Sequence, residues 1–497
     1  MSPSTASSDV QSLEPKSVWR FFAGIAAVPR PSKQEGRIRT HVKELLEDAG
    51  LPVREDKAGN LVASVPATSG CESAPITVLQ SHLDMVCEKN RDVKHDFDTE
   101  GIKLLIDTDP ADGRAIVRAD GTTLGADNGI GAAMALAVAT SKEVKHGPLE
   151  LLFTMDEEAG MGGAKGLTPD SFKGRRLLNL DTEEDDALYI GCAGGSDATL
   201  VWTLEPQPLD DKSEVSEIVV RGLRGGHSGS EIHENRGNAN KLLAWTLNRA
   251  EIEGLRLASF DGGSKRNAIP REAHAVVAGP PGSRNELAAA ATAVAEASQR
   301  QNNEPQAKVE VRAASAKSAL SSSDSRRVML AIDALPHGVL GMSTAVPGLV
   351  QTSNNVATVN ATPSGSQVEV AIGNLARSSS ADWLQSALDQ ITAVGRLAGA
   401  SVDYGNQYPG WEPDPESKLL STAKRVYERE FGDKPRVEAI HAGLECGIIR
   451  EQVGKMDMIS LGPLILGAHS PDERVYIESV GKSWKYLCAI LDELGAG

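Results

Sequence analysis

The chain has 497 residues, 51 basic and 68 acidic side chains, a formal net charge of -17 and 40% hydrophobic content. Such a length exceeds what one ordinary core serves and predicts at least two domains, while the acidic surface disfavours a nucleic-acid partner by repelling its phosphates. No run approaches the roughly 20 consecutive apolar residues of a membrane helix, and five cysteines (Cys71, Cys87, Cys192, Cys446 and Cys488) without a C-x-x-C spacing are expected to be thiols in a reducing cytosol.

Residues 1–16 are rich in Ser and Pro and lack both a basic start and an apolar signal-peptide core, so export is not expected. Amphipathic patterns predict helices over 18–27 and 36–49, the second stopped by Gly50 and Pro52. Short apolar runs at 76–79, 149–153, 177–180 and 458–461 alternate with helical segments such as 131–140. Buried strands alternating with helices predict an α/β fold with a largely parallel sheet covered on both faces. From 194 to 402 the texture changes to Ser-, Ala- and Gln-rich stretches and alternating strand-like segments at 217–220, 308–311 and 367–372. This reads as an insertion, dividing the chain into a first catalytic part (1–193), an inserted domain (194–402) and a second catalytic part (403–497). A turn-rich joint at 408–415 precedes a helix near 417–431.

The chemistry-bearing residues fall where predicted strands end. The run 76–80 leads into Ser81-His82-Leu83-Asp84, the run 149–154 into Met155-Asp156-Glu157-Glu158, and the run 177–180 into Asp181. In an open α/β sheet the carboxyl ends of strands share one edge, where ligands bind. Gly125-Ala126-Asp127-Asn128-Gly129 opens a helix of small residues, and Gly467-Ala468-His469-Ser470-Pro471-Asp472-Glu473 follows the 458–461 strand. Two imidazoles with several carboxylates and no thiolate suit zinc, cobalt or manganese. Taken singly, His82 reads as a strand-end histidine, Asp127 as a helix cap, Glu157-Glu158 as a solvated pair, and the acidic run 181–186 as mostly surface charge. Their joint placement at strand ends is what points to a site.

These five motifs resemble those of the aminoacyl-histidine (Xaa-His) dipeptidases, within the dizinc superfamily that includes glutamate carboxypeptidase and aminoacylase; the likeness runs over about 18–494. The narrower assignment rests on residues 127–131 and on His441-Ala442-Gly443-Leu444-Glu445-Cys446-Gly447. The resemblance implies a three-layer α/β catalytic domain with an inserted α+β lid domain. It further implies two divalent metal ions, with zinc first and cobalt or manganese as alternatives. His82 and Asp181 would bind one ion, Glu158 and His469 the other, and Asp127 would bridge them. Asp84 would orient His82, and Glu157 would be the general base.

In the insert, Arg221-Gly-Leu-Arg-Gly-Gly-His227 resembles a lid motif whose histidine helps stabilise an oxyanion, in several members across a homodimer interface. Asn267 and Arg377 are similar to lid positions that grip a substrate carboxylate, a task suited to the guanidinium fork. Charge complementarity suggests Glu445 as the receiver of a dipeptide's free amino group. The expected protein is therefore a cytoplasmic metallo-dipeptidase acting on a small dipeptide. The rival readings are an N-acyl amino acid deacylase or a tripeptidase on the same scaffold, and a non-catalytic metal-binding protein. The glycine-rich stretches match neither a P-loop nor a dinucleotide fingerprint.

Overall fold

The apolar runs become the middle of a sheet. In the computed structural model, which describes residues 7–364 and 366–496, eight strands associate: β1 (Val53–Glu55), β2 (Leu61–Val65), β3 (Thr77–His82), β4 (Leu149–Thr154), β5 (Arg176–Asn179), β6 (Ala187–Cys192), β7 (Arg436–Ile440) and β8 (Asp457–Ser460). Their order is β1-β2-β4-β3-β5-β8-β6-β7. The four central strands β4, β3, β5 and β8 run parallel, and the pairings outside them are antiparallel at β1/β2, β2/β4 and β8/β6. Every residue of β3 and β4 is buried, polar ones included, as expected where both faces of a sheet are covered. The α/β class expected from the run lengths is the one observed, its parallel core edged by antiparallel strands. Residues 1–6 of the polar start lie outside the described residues.

The helix Lys16–Ala26 packs against the helix Ala126–Thr140, which in turn lies on β3. Small side chains permit that approach: a Cβ at Gly131 would lie 2.4 Å from the Leu180 carbonyl oxygen. A second, four-stranded antiparallel sheet joins Ile465–Leu466, Arg474–Tyr476, Ala115–Ala119 and Leu104–Thr108 in that order, and the sequence patterns did not anticipate it. Its first two strands pair antiparallel, so residues 467–473 form the loop of a hairpin.

The described residues divide into two compact units, one running to Gly191 and resuming at Pro413–Ala439 and from Leu444, the other comprising Cys192–Glu412 and Ile440–Gly443. In the second unit a nine-stranded sheet pairs antiparallel throughout. Four helices, Ala239–Arg249, Ser283–Gln301, Ser322–Ala334 and Ala381–Leu397, pack on it. The strand Ser401–Tyr408 pairs with Gly194–Leu204, which carries this unit beyond residue 402 to Glu412. Among the described residues no helix is long and apolar enough to cross a membrane.

Candidate metal centre

β3 delivers His82 at its last position, with both ring nitrogens engaged. Nδ1 lies 3.3 Å from Asp84 Oδ1, while Nε2 lies 3.0 Å from Asp127 Oδ1 and 3.5 Å from Asp181 Oδ1. Asp84 is fully buried and accepts from the Glu157 and Glu158 amides at 3.0 and 3.1 Å and from the Ser32 hydroxyl at 2.7 Å. One carboxylate thus fixes the ring of His82 and the start of the short helix Glu157–Gly160. Burial opposes the charge of Asp84, yet the bonds from His82, Ser32 and the Glu157 amide hold it well below the usual carboxylate range.

His469 approaches the same aspartate from the other side. Its Nε2 is 3.2 Å from Asp127 Oδ2 and 3.0 Å from Glu158 Oε2. The two oxygens of Asp127 therefore face two different imidazoles, each with a second carboxylate: Asp181 beside His82, Glu158 beside His469. Potential ligand atoms of His82, Asp127 and Glu158 all lie within 4.8 Å of one another. The Asp127–Asn128 peptide is cis, and the Asn128 side-chain Nδ2 donates to the Leu180 carbonyl at 2.9 Å and to Asp181.

The donor set fits divalent cations. Two imidazoles and several carboxylates match borderline ions such as zinc, and Glu158 Oε1 is buried with no hydrogen-bond partner, as an oxygen awaiting a cation would be. Acidic charge is concentrated around it. Burial, reinforced by neighbouring carboxylates, pushes Asp181 up to about 6 and Glu183 and Glu445 up to about 8. Hydrogen bonds to Asp127 and Glu158 raise His469 to about 11. In the absence of cations the cluster holds protons that a divalent ion would displace.

Glu157 sits beside Glu158, and no side chain among the described residues hydrogen-bonds its carboxylate. Burial raises it well above the ordinary range, against His82 and with Asp181, Glu445 and Glu158 adding to the rise. A buried carboxyl group shifted upward in this way is a candidate for proton transfer. Glu445, expected in a loop, begins the helix Glu445–Val453. It is wholly buried, with Oε2 accepting from Gln80 at 2.7 Å and Thr154 at 2.6 Å and Oε1 unpartnered. Gln80 in turn accepts from Asn179 at 2.5 Å, so a polar network crosses β5, β3 and β4 behind the ligands.

In the second unit, His227 Nδ1 receives the amides of Gly229 and Ser230 at 3.2 and 3.1 Å. Two donors on Nδ1 place the ring proton on Nε2, and burial, with Arg377 nearby, lowers its pKa and keeps the ring neutral. Arg377 is buried, donates to the Tyr408 hydroxyl at 2.6 Å and leaves Nε without a partner. Asn267 is exposed; its backbone carbonyl accepts from the Ser228 amide at 2.8 Å. His441 in the same unit bonds Ser353 at 2.7 Å, and burial lowers it to about 3. The eleven candidates thus fall into two groups. Asp84, His82, Asp127, Glu157, Glu158, Asp181, His469 and Glu445 belong to the first unit, and His227, Asn267 and Arg377 to the second.

Sequence reasoning passed over Gln80, Thr154, Glu183 and Glu473. The first two read as strand residues, the third as one of an acidic run, and the fourth as the tail of the His469 motif.

Paired imidazoles and carboxylates along the carboxyl edge of a parallel sheet define the class of site found in metal-dependent hydrolases. The chain matches the model of peptidase family M20/M25/M40 over residues 78–493 and belongs to that family. It is 41% identical to the cytosol non-specific dipeptidase of Escherichia coli K12 over 493 residues, 98% of this chain and 100% of that one. It superposes on the crystal structure of the aminoacylhistidine dipeptidase from Vibrio alginolyticus with a TM-score of 0.90 at 40% identity, covering 97% of this chain and 98% of that one. A tripeptidase from Staphylococcus aureus shares the fold alone, with a TM-score of 0.56 at 16% identity over 98% of this chain and all of that one.

Proposed function

We propose that the chain is a cytoplasmic metallo-dipeptidase that hydrolyses unblocked dipeptides, Xaa-His dipeptides among them, with two divalent ions, most suitably zinc. The observation that carries this reading is Asp127, whose two oxygens stand 3.0 and 3.2 Å from the Nε2 atoms of His82 and His469. His82 and Asp181 would hold one ion, Glu158 and His469 the other, and Asp127 would serve both. When bound, such a pair supplies Lewis acidity and an activated water. Asp84 keeps His82 in the tautomer that leaves Nε2 free to ligate. Glu157 takes the proton of the attacking water and delivers it to the leaving amine nitrogen.

The second unit serves as a lid and dimerisation domain. There His227 offers its Nε2 proton to the developing oxyanion, while Asn267 and the Arg377 fork hold the substrate's terminal carboxylate. Glu445 receives the free amino group. The two relatives named as dipeptidases, each close to full length, support the substrate class.

The test is hydrolysis of beta-alanyl-histidine and glycyl-histidine by chelator-stripped protein titrated with zinc, manganese and cobalt, alongside a tripeptide and an N-acetyl amino acid. Metal-restored cleavage of the dipeptides is expected. Preference for the tripeptide or the N-acetyl compound would replace the reading with a tripeptidase or a deacylase, and no cleavage under any metal would leave a binding protein.

A further inference from the structure

Behind the bridging aspartate lies a buried carboxylate that the reaction does not use. Glu473 is 2% exposed. Its two oxygens accept from four consecutive backbone amides: Leu124 at 2.7 Å and Gly125 at 2.9 Å on Oε2, Ala126 at 2.8 Å and Asp127 at 3.3 Å on Oε1. The last amide is that of Asp127 itself, at the opening of the helix Ala126–Thr140, where a negative charge is favoured.

Glu473 also closes the hairpin loop that presents His469. That loop is folded on itself: the Ser470 hydroxyl donates to the Gly467 carbonyl at 2.7 Å, and the Glu473 amide donates to the Ser470 carbonyl at 3.0 Å. Within it His469 adopts a left-handed backbone with φ 64°, a conformation that costs energy for a non-glycine residue and persists only where the surroundings hold it.

The turn is gripped from its other side as well. Arg30, buried, donates to the carbonyls of Leu83 at 3.0 Å, Asp84 at 2.8 Å, and Gly125. Gly125, at φ 69°, has no room for a Cβ, which would lie 2.3 Å from Arg30 Nη2. A guanidinium thus ties the turn to the loop following His82, and a buried carboxyl group ties it to the loop bearing His469.

We propose that Glu473 is a positioning residue: it fastens the His469 hairpin loop to the 124–127 turn and so sets the separation between Asp127 and His469. This rests on the ligand assignment given under Proposed function. The dependence is asymmetric. An ion bound by Glu158, His469 and Asp127 would lose the placement of two of its ligands when Glu473 is altered. An ion bound by His82, Asp181 and Asp127 would lose that of one, and Arg30 would still anchor the turn that carries Asp127. Glutamine cannot substitute, because its NH2 would face two amide donors across one oxygen's former position.

The experiment is calorimetric titration of chelator-stripped full-length protein with zinc, and visible absorption of the cobalt form, for wild type, Asp127→Ala, Glu473→Gln and Glu473→Asp. In Glu473→Gln the first equivalent is expected to bind within a few-fold of wild type. The second is expected to weaken about 10–100-fold, with cobalt bands altered for the second equivalent alone. Glu473→Asp, which keeps the charge but shortens the reach, is expected to fall between; should the glutamine variant not fold by circular dichroism, the aspartate variant decides by the same criteria. Wild-type affinity and unchanged bands at both equivalents would overturn the proposal, as would equal weakening of both, the sign of a merely structural role. Wild type binding no zinc, or Asp127→Ala binding both equivalents normally, would instead overturn the ligand assignment on which it rests.

Discussion

The two units of the described residues hold their candidate site residues in different ways. In the parallel core of the first, β3 and β4 are buried throughout, and polar side chains meet inside: Gln80, Thr154, Asn179 and Glu445 bond one another, and His82, Asp84, Asp127 and Asp181 meet at the strand ends. In the second unit, the strand Gln367–Ser378 begins with alternating exposed and buried positions, and the candidate residues are held separately, Arg377 at the end of that strand by Tyr408 and His227, in a two-stranded ribbon, by the amides of its own turn. A coupled network is costly to disturb because each unmade bond leaves a buried group unsatisfied. A singly held side chain is adjustable, which suits the substrate-gripping role proposed for Arg377 and the oxyanion role proposed for His227.

That contrast sets the expected effects of substitution. Glu157→Ala, in the first unit, should cut kcat by about 10²–10⁴-fold while leaving zinc content at the wild-type value by atomic absorption; retained turnover would remove Glu157 as the base. Arg377→Ala, in the second, should act on KM instead. Losing a charge-assisted bond costs about 1.5–3 kcal/mol, roughly a ten- to hundredfold rise in KM, largest for substrates with a free carboxylate. A dipeptide amide handled equally by wild type and variant would sharpen the point, and an equal loss on both substrates would break it.

The smallest effect concerns protons. Hydrogen bonds to Asp127 and Glu158 raise His469 to about 11, so in metal-free protein its charged form contributes stability below the ordinary histidine pKa of about 6.5, and that contribution fades as pH rises towards the shifted value. Zinc must displace that proton. Loading at neutral pH should release protons into weak buffer, and zinc affinity should climb by up to about tenfold per pH unit for each proton released. Affinity flat between about pH 6 and about pH 8 would contradict the assignment of His469 as a ligand.

Much of the first unit was readable because strand ends carry a physical rule: apolar runs of strand length each terminating in His or Asp or Glu imply convergence on one edge. The runs at 149–153 and 177–180 became β4 and β5 with little change of boundary. What escaped depends on contacts distant in sequence. The four-stranded sheet is two local hairpins, Leu104–Thr108 with Ala115–Ala119 and Ile465–Leu466 with Arg474–Tyr476, joined by one pairing between strands hundreds of residues apart, which no local pattern encodes. Glu473 bonds backbone amides, and amides leave no trace in residue identity. Glu183 stands in an acidic run of surface appearance, yet burial raises it to about 8 beside Asp127 and Asp181. Glu445 reads as part of a loop because the helix it opens is short, at nine residues.

The most direct test of the account is diffraction from zinc-soaked crystals, recorded on both sides of the zinc absorption edge. Two anomalous peaks about 3.5–4 Å apart are expected, one between His82 and Asp181 and one between His469 and Glu158, with one oxygen of Asp127 against each. A single peak, or peaks away from Asp127, would contradict it.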